Sequence, residues 1–95
     1  MATNYTHKSG YVIKVEVFSW HTELSIINPK TDEVHEHFDN VVGVERIGNW
    51  LHWTAVNRAH GGDRHQYKAE LLENSRPLID VNINDIRAAV KALES

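Results

Sequence analysis

The chain has 95 residues and a mass of 10.9 kDa, which is the size of a single small domain. Its formal net charge of −3 and pI near 6.1 argue against a general nucleic-acid binder, because such proteins carry a basic excess that neutralises phosphates. The absence of cysteine excludes disulfides, thiolate metal sites and cysteine nucleophiles, whereas seven histidines are many for this length.

The N-terminal segment 1–10 is polar and shows no hydrophobic period, which predicts a flexible tail. We expect a single β-rich domain over 11–95. No apolar run is long enough to cross a membrane, and the N-terminus lacks the layout of a secretory signal. The sequence therefore favours a cytoplasmic protein without membrane partners.

Alternating apolar and polar residues predict short strands over 11–18, 22–28 and 33–38. The third of these carries many charges, which is typical of a sheet edge. The clearest hairpin signal covers 41–56, where two alternating segments flank Gly48-Asn49, a dipeptide that tolerates positive φ. Within its second strand, Leu51, Trp53 and Ala55 share the face expected to point inward.

A polar loop over 57–65 precedes a last predicted strand over 66–72. After it, the hydrophobic period becomes helical, with apolar residues at Ile83, Ile86, Val90 and Leu93. The predicted fold class is therefore α+β. We expect an antiparallel β-meander of about six short strands, a partial barrel or curved sheet, closed by one C-terminal amphipathic helix.

Three tryptophans offer material for a binding surface, since tryptophan is common at interface hot spots. Trp20 lies in the first tight connection, where burial is difficult. Trp50 falls on the opposite face of its strand from Trp53, beside His52. An exposed pair would mark a protein-binding surface. The alternative is that the helix covers Trp50 and that Trp20 packs over the barrel mouth.

The loop His60-Gly61-Gly62-Asp63-Arg64-His65 is a second candidate, since binding residues concentrate in loops. Over 57–68 there is a local basic excess, which would suit a phosphate or an acidic partner surface, although a solvated hairpin loop is the plainer interpretation. The predicted partner-binding residues are Trp20, His21, Trp50, His52, Arg58, His60, Arg64 and His65.

His35 and His37 lie two residues apart, and Asp39 follows on the same side of a strand. The three side chains would present ligands for zinc or another divalent metal. The competing interpretation is a polar, exposed face of an edge strand. A metal site without cysteine would have to use histidine and carboxylate ligands alone.

No catalytic motif stands out: no serine occupies a nucleophile elbow, and Ser19, His21 and Glu23 line one strand face without forming a nucleophile site. We expect a small non-enzymatic interaction module that binds another protein, as an adaptor or a stand-alone inhibitor, through exposed aromatics and a basic, histidine-containing loop, without a cofactor. The alternatives are a histidine and carboxylate metal- or anion-binding protein, with or without hydrolytic chemistry, and a small-ligand binder. Pairing of two copies through an edge strand also stays open.

Overall fold

The computed structural model of the protein describes residues 2–77, which form two antiparallel β-sheets. The first sheet contains β1 (Ala2–Thr6), β2 (Val12–Val17), β3 (Thr22–Ile27) and β4 (Val34–Phe38), in that spatial order. The second contains β5 (Val41–Ile47), β6 (Trp50–Asn57) and β7 (Asp63–Glu70), also in chain order. A short 3₁₀ turn, Arg58–His60, follows β6. The predicted antiparallel, β-rich architecture is confirmed.

One apolar core joins the two sheets. Ile13 from β2 and Leu24 from β3 meet Leu51 and Trp53 from β6 in the same buried cluster. Side chains alternate between the two faces of a strand, so these residues occupy the inner faces while their neighbours point outward. The inward positions predicted for Leu51, Trp53 and Ala55 are confirmed, since none of the three is more than 7% exposed.

The two sheets do not close into a barrel. His7, which follows β1, and Leu71, which follows β7, form an isolated antiparallel bridge between the two sheets. Beside it, the Leu72 N–H donates to the Thr6 carbonyl at 3.2 Å. Among residues 2–77, β1 and β4 are the outer strands of the first sheet, and β5 and β7 are those of the second. The predicted C-terminal helix lies outside the described residues.

Strand β1 lies within the segment that the sequence predicts as a flexible tail. It pairs with β2 along its whole length, from Ala2 opposite Glu16 to Thr6 opposite Val12. The pairing gives its backbone groups hydrogen-bond partners, and Tyr5 packs against the core. Its residues are mostly polar, so no apolar alternation marks the strand, and the meander gains a seventh strand.

The predicted hairpin is confirmed, with its turn at Gly48-Asn49 and Gly48 at φ +59°. A register shift between Val41 and Gly43 interrupts the pairing of β5 with β6. Val42 lies within this irregularity and is 57% exposed. Among residues 2–77, no helix has the length and apolar character needed to cross a bilayer.

Candidate functional site

The connection between β6 and β7 is a tight turn, shorter than the polar loop that the sequence predicts. The Asn57 side chain accepts a hydrogen bond from the Ala59 N–H at 3.1 Å, and the Gly62 N–H donates to the Asn57 carbonyl at 3.0 Å. Gly61 and Gly62 have φ values of +75° and +83°, which side chains rarely allow. The turn therefore has a defined shape, with Arg58 within it and Arg64 just after it at the start of β7.

The connection between β2 and β3 is also tightly fixed. The Phe18 N–H donates to the His21 carbonyl at 2.8 Å, and the two rings stack with centroids 4.8 Å apart. This arrangement leaves Trp20 at the tip of the turn, with 86% of its surface exposed. A large aromatic side chain on a fixed backbone loses little conformational entropy when a partner binds it.

These two turns meet at one end of the molecule and enclose a groove of about 260 Å³. Arg64 lies directly opposite Val56 in the pairing of β6 with β7, so a basic side chain borders an apolar one. The side chains that give the groove its character are Trp20, His21, Val42, Val56, Arg58 and Arg64. Among residues 2–77, no carboxylate lines it. The groove is thus an apolar surface flanked by an indole and two guanidinium groups.

A second cleft, of about 360 Å³, lies on the other side of Arg58. Its wall includes Phe38 and Tyr67, whose ring centroids are 4.7 Å apart, and Tyr67 stacks on the core residue Trp53. Asn40, Val56 and Arg58 line both openings and form a ridge between them. The Val56 N–H donates to the Asn40 carbonyl at 2.7 Å and fixes this ridge.

The structure brings together half of the predicted partner-binding residues. Trp20, His21, Arg58 and Arg64 border the groove, and His65 lines the cleft beyond the ridge. His60 is exposed in the 3₁₀ turn.

Trp50 and His52 lie elsewhere, on the outer face of β6. Trp50 is six residues from Val56 along this strand, a separation of about 20 Å. The Lys68 Nζ lies 5.2 Å from the centre of the Trp50 ring, a cation–π arrangement. Trp50 is 38% exposed, far less than Trp20. The two residues therefore do not belong to the groove.

The predicted metal ligands are held by separate partners. The His35 ring stacks on Tyr11 at 5.4 Å, whereas both ring nitrogens of His37 bond to side chains of β3. The Asp39 carboxylate accepts a hydrogen bond from the Asn40 amide at 3.3 Å. Among residues 2–77, no group of three histidine or carboxylate side chains is placed to hold a metal ion. The candidate set His35, His37 and Asp39 is therefore not assembled as a metal site.

A hydrogen-bonded chain of side chains on the outer face of the first sheet was not predicted. Ser25 Oγ lies 2.8 Å from His37 Nδ1, and His37 Nε2 lies 3.0 Å from Glu23 Oε1. The other oxygen of Glu23 lies 3.1 Å from His21 Nε2. The signal in the sequence was the alternation of His21, Glu23 and Ser25 on one face of a strand. Finding the network also required the register of β4, which places His37 opposite Ser25.

The chain matches no protein-family model, no curated protein and no solved structure. Its role must therefore be argued from the side chains that the fold assembles. The groove is the place where the exposed aromatic and basic residues converge.

Proposed function

We propose that the protein is a small non-enzymatic interaction module that binds an acidic segment of another protein in the groove beside Trp20. The observation that carries this proposal is the convergence of Trp20, Arg58 and Arg64 around Val42 and Val56. Tryptophan and arginine are the residue types that contribute most to interface energies.

The charges at the groove favour a carboxylate-bearing partner. Arginine donates two parallel hydrogen bonds to a carboxylate, an arrangement that gives both orientation and energy. No carboxylate among residues 2–77 lines the groove to compete for Arg58 and Arg64. The whole chain has a net charge of −3, so the groove, with two arginines and no carboxylate in its lining, differs in charge from the chain as a whole and favours an acidic segment.

Trp20 supplies the apolar part of the binding energy. Its 86% exposure means that nearly the whole indole is free to become buried against a partner. An aromatic side chain buries about 150–250 Å², which at about 25 cal/mol per Å² corresponds to roughly 4–6 kcal/mol before the cost of association. Val42 and Val56 extend this apolar area into the groove. We therefore expect the partner segment to carry an apolar residue next to its acidic ones.

The test is capture of partners by tagged protein, quantified by mass spectrometry, with three forms of the chain compared. One form is the wild type, one carries Arg58→Ala and Arg64→Ala, and the matched control carries Lys8→Ala and Lys68→Ala. The control removes the same charge from positions outside the groove. A partner retained by the wild type and the control but lost by the arginine variant supports the proposal.

The captured partner is then measured in direct binding experiments at two salt concentrations. We expect Trp20→Ala to weaken binding at least tenfold, and we expect added salt to weaken wild-type binding more than that of the arginine variant. Equal capture by all three forms, or a captured partner indifferent to Trp20→Ala, would refute the groove as the binding site.

A further inference from the structure

Ser25, His37 and Glu23 stand in the order of a nucleophile, a base and a carboxylate that orients the base. A neutral imidazole has one nitrogen that accepts a hydrogen bond and one that donates. When the Ser25 hydroxyl donates to His37 Nδ1 across 2.8 Å, His37 Nε2–H donates to Glu23 across 3.0 Å. These hydrogen bonds assign the tautomer in which Nδ1 is free to take the serine proton.

The pairing of β3 with β4 fixes the positions of Ser25 and His37 relative to each other. Ser25 and His37 are direct neighbours in the pairing of β3 with β4. Glu23 lies two residues before Ser25 and therefore on the same face of β3. Its second oxygen is held by His21 Nε2 at 3.1 Å, so both ends of the carboxylate are anchored. The base and its orienting group are thus positioned before any reagent arrives.

A cation lies on the other side of the serine. Lys14 of β2 is the direct pairing neighbour of Ser25, and residues opposite each other on antiparallel strands have Cβ atoms about 5 Å apart. The Lys14 Nζ also contacts the Glu16 carboxylate at 3.5 Å. Lys14 thus adds a positive charge to the face of the sheet on which negative charge would develop at a carbonyl oxygen attacked by Ser25.

We infer that Ser25 is an acyl-acceptor site, whose hydroxyl takes the acyl group of small activated carboxylic esters with His37 as base and Glu23 as positioning residue. This reactivity is separate from the proposed binding function. The Ser25 oxygen bonds to the ester carbonyl carbon while its proton passes to His37 Nδ1. The bond from that carbon to the leaving oxygen then breaks, and the leaving alcohol takes the proton from His37. The products are an ester of Ser25 and the free alcohol.

The location of the site determines which reagents it accepts. The three side chains lie on the outer face of the first sheet, and the His37 side chain is 44% exposed. Reagents therefore approach directly from solvent, and affinity contributes little. A good leaving group must supply most of the driving force, which makes aryl esters such as p-nitrophenyl acetate the appropriate probe.

The chain contains an internal control, because Ser9 also bonds through its hydroxyl to the Nδ1 of a histidine, His7. Among residues 2–77, no carboxylate bonds to the Nε2 of His7. The nearby Glu70 carboxylate is instead 3.1 Å from Lys8 Nζ. Ser9 thus has a histidine nitrogen beside its hydroxyl without the orienting carboxylate, although that nitrogen also accepts the Ser9 N–H at 3.1 Å. Ser9 therefore serves as the reference rate within the same chain.

The experiment treats the folded full-length chain with p-nitrophenyl acetate and locates acetyl groups by peptide mass mapping over time. Hydroxylamine removes acetyl groups from serine but leaves lysine amides intact, which separates the two kinds of product. We expect a hydroxylamine-labile acetyl on Ser25 that forms about tenfold or more faster than any on Ser9. Ser25→Ala should abolish it, and His37→Gln, which removes the base that Ser9 still has, should slow it to the rate of Ser9 or below.

The role of Glu23 is tested by two substitutions. Glu23→Gln removes the carboxylate charge beside His37 Nε2, which lies 3.0 Å from Glu23 Oε1, so we expect slower acetylation of Ser25 while the rate at Ser9 stays unchanged. Glu23→Asp keeps the carboxylate and should restore part of the Ser25 rate, which a merely structural role of Glu23 would not predict. Circular dichroism of each variant verifies that the fold is retained.

Three results would overturn the inference. The first is acetylation of Ser25 no faster than that of Ser9. The second is an unchanged Ser25 rate in the His37→Gln variant. The third is release of nitrophenol that persists in Ser25→Ala but disappears in His37→Gln, since this would make the imidazole itself the nucleophile. If Glu23→Gln leaves the Ser25 rate unchanged, or if Glu23→Asp is as slow as Glu23→Gln, Glu23 is not the positioning residue.

Discussion

Replacement of Leu24 by alanine tests whether the two sheets share one core. Leu24 belongs to the first sheet and is 0% exposed within the cluster that contains Leu51 and Trp53 of the second. Removal of a fully buried leucine side chain costs about 2–5 kcal/mol, and more where the surroundings cannot collapse. With side chains of both sheets around the site, we expect about 3–4 kcal/mol. For a domain of this size, that corresponds to a fall in melting temperature of roughly 10–30 °C.

The assay places the perturbation in one sheet and the reporter in the other. In a background with Trp20→Phe and Trp50→Phe, Trp53 is the only tryptophan left and reports on the second sheet. We expect urea unfolding followed by Trp53 fluorescence and by far-UV circular dichroism to coincide, and Leu24→Ala to lower both midpoints equally. A Trp53 midpoint that stays in place while the circular dichroism transition splits in two would show that the sheets unfold independently, and the reasoning would fail.

Three further predictions concern the backbone and the charges. Gly48→Ala should cost about 1–2 kcal/mol in thermal melts, because φ is +59° there while nothing lies within 4 Å of the added Cβ; an unchanged melting temperature would contradict this. Burial lowers the pKa of His7 from its ordinary 6.5, against a smaller opposing effect of Glu70. The unfolded chain therefore binds the proton more tightly than the folded one, and the free energy of unfolding should fall as pH drops from 6.5 towards the pKa of folded His7. His7→Gln should flatten that part of the stability profile. Lys8→Ala removes an exposed ion pair with Glu70 and should change the unfolding free energy by less than about 0.5 kcal/mol, as chemical denaturation would show.

The sequence predicted the strands well wherever apolar residues alternate with polar ones. The second hairpin was predicted because Leu51 and Trp53 alternate with polar neighbours after a glycine turn, and the structure buries both residues. The N-terminal strand was missed because pairing with β2, rather than an apolar stripe, holds it in place. Its Tyr5 packs against the core, but no alternation of apolar and polar residues surrounds Tyr5, and that alternation is the pattern that predicts a strand from sequence.

The candidate site was only half accessible to sequence reasoning. Residue type identified Trp20, Arg58 and Arg64 as binding material, but nothing in their spacing shows that two turns distant in the chain enclose one groove. That proximity depends on how the sheets pack. For the same reason Trp50 seemed an equal candidate, although it lies about 20 Å along its strand from the groove. The link between Ser25 and His37 likewise depends on a strand register that alternation alone does not specify.

Three of the seven histidines make contacts that account for their presence without metal. His35 stacks on Tyr11 and His21 on Phe18, while His37 bridges Ser25 and Glu23 with its two nitrogens. An imidazole offers both a flat ring and two polar atoms, so on a half-exposed strand it covers an aromatic neighbour or satisfies a polar one. A nitrogen engaged in such a contact is not available to a metal ion without a cost.

His21 connects the two proposed sites. Its side chain borders the groove beside Trp20, and its Nε2 holds the Glu23 oxygen that does not bond to His37. A partner carboxylate that bonded to His21 would compete with Glu23 for the imidazole and release one anchor of that carboxylate. Although the two proposals rest on different observations, we therefore expect a partner bound through His21 to slow the acylation of Ser25.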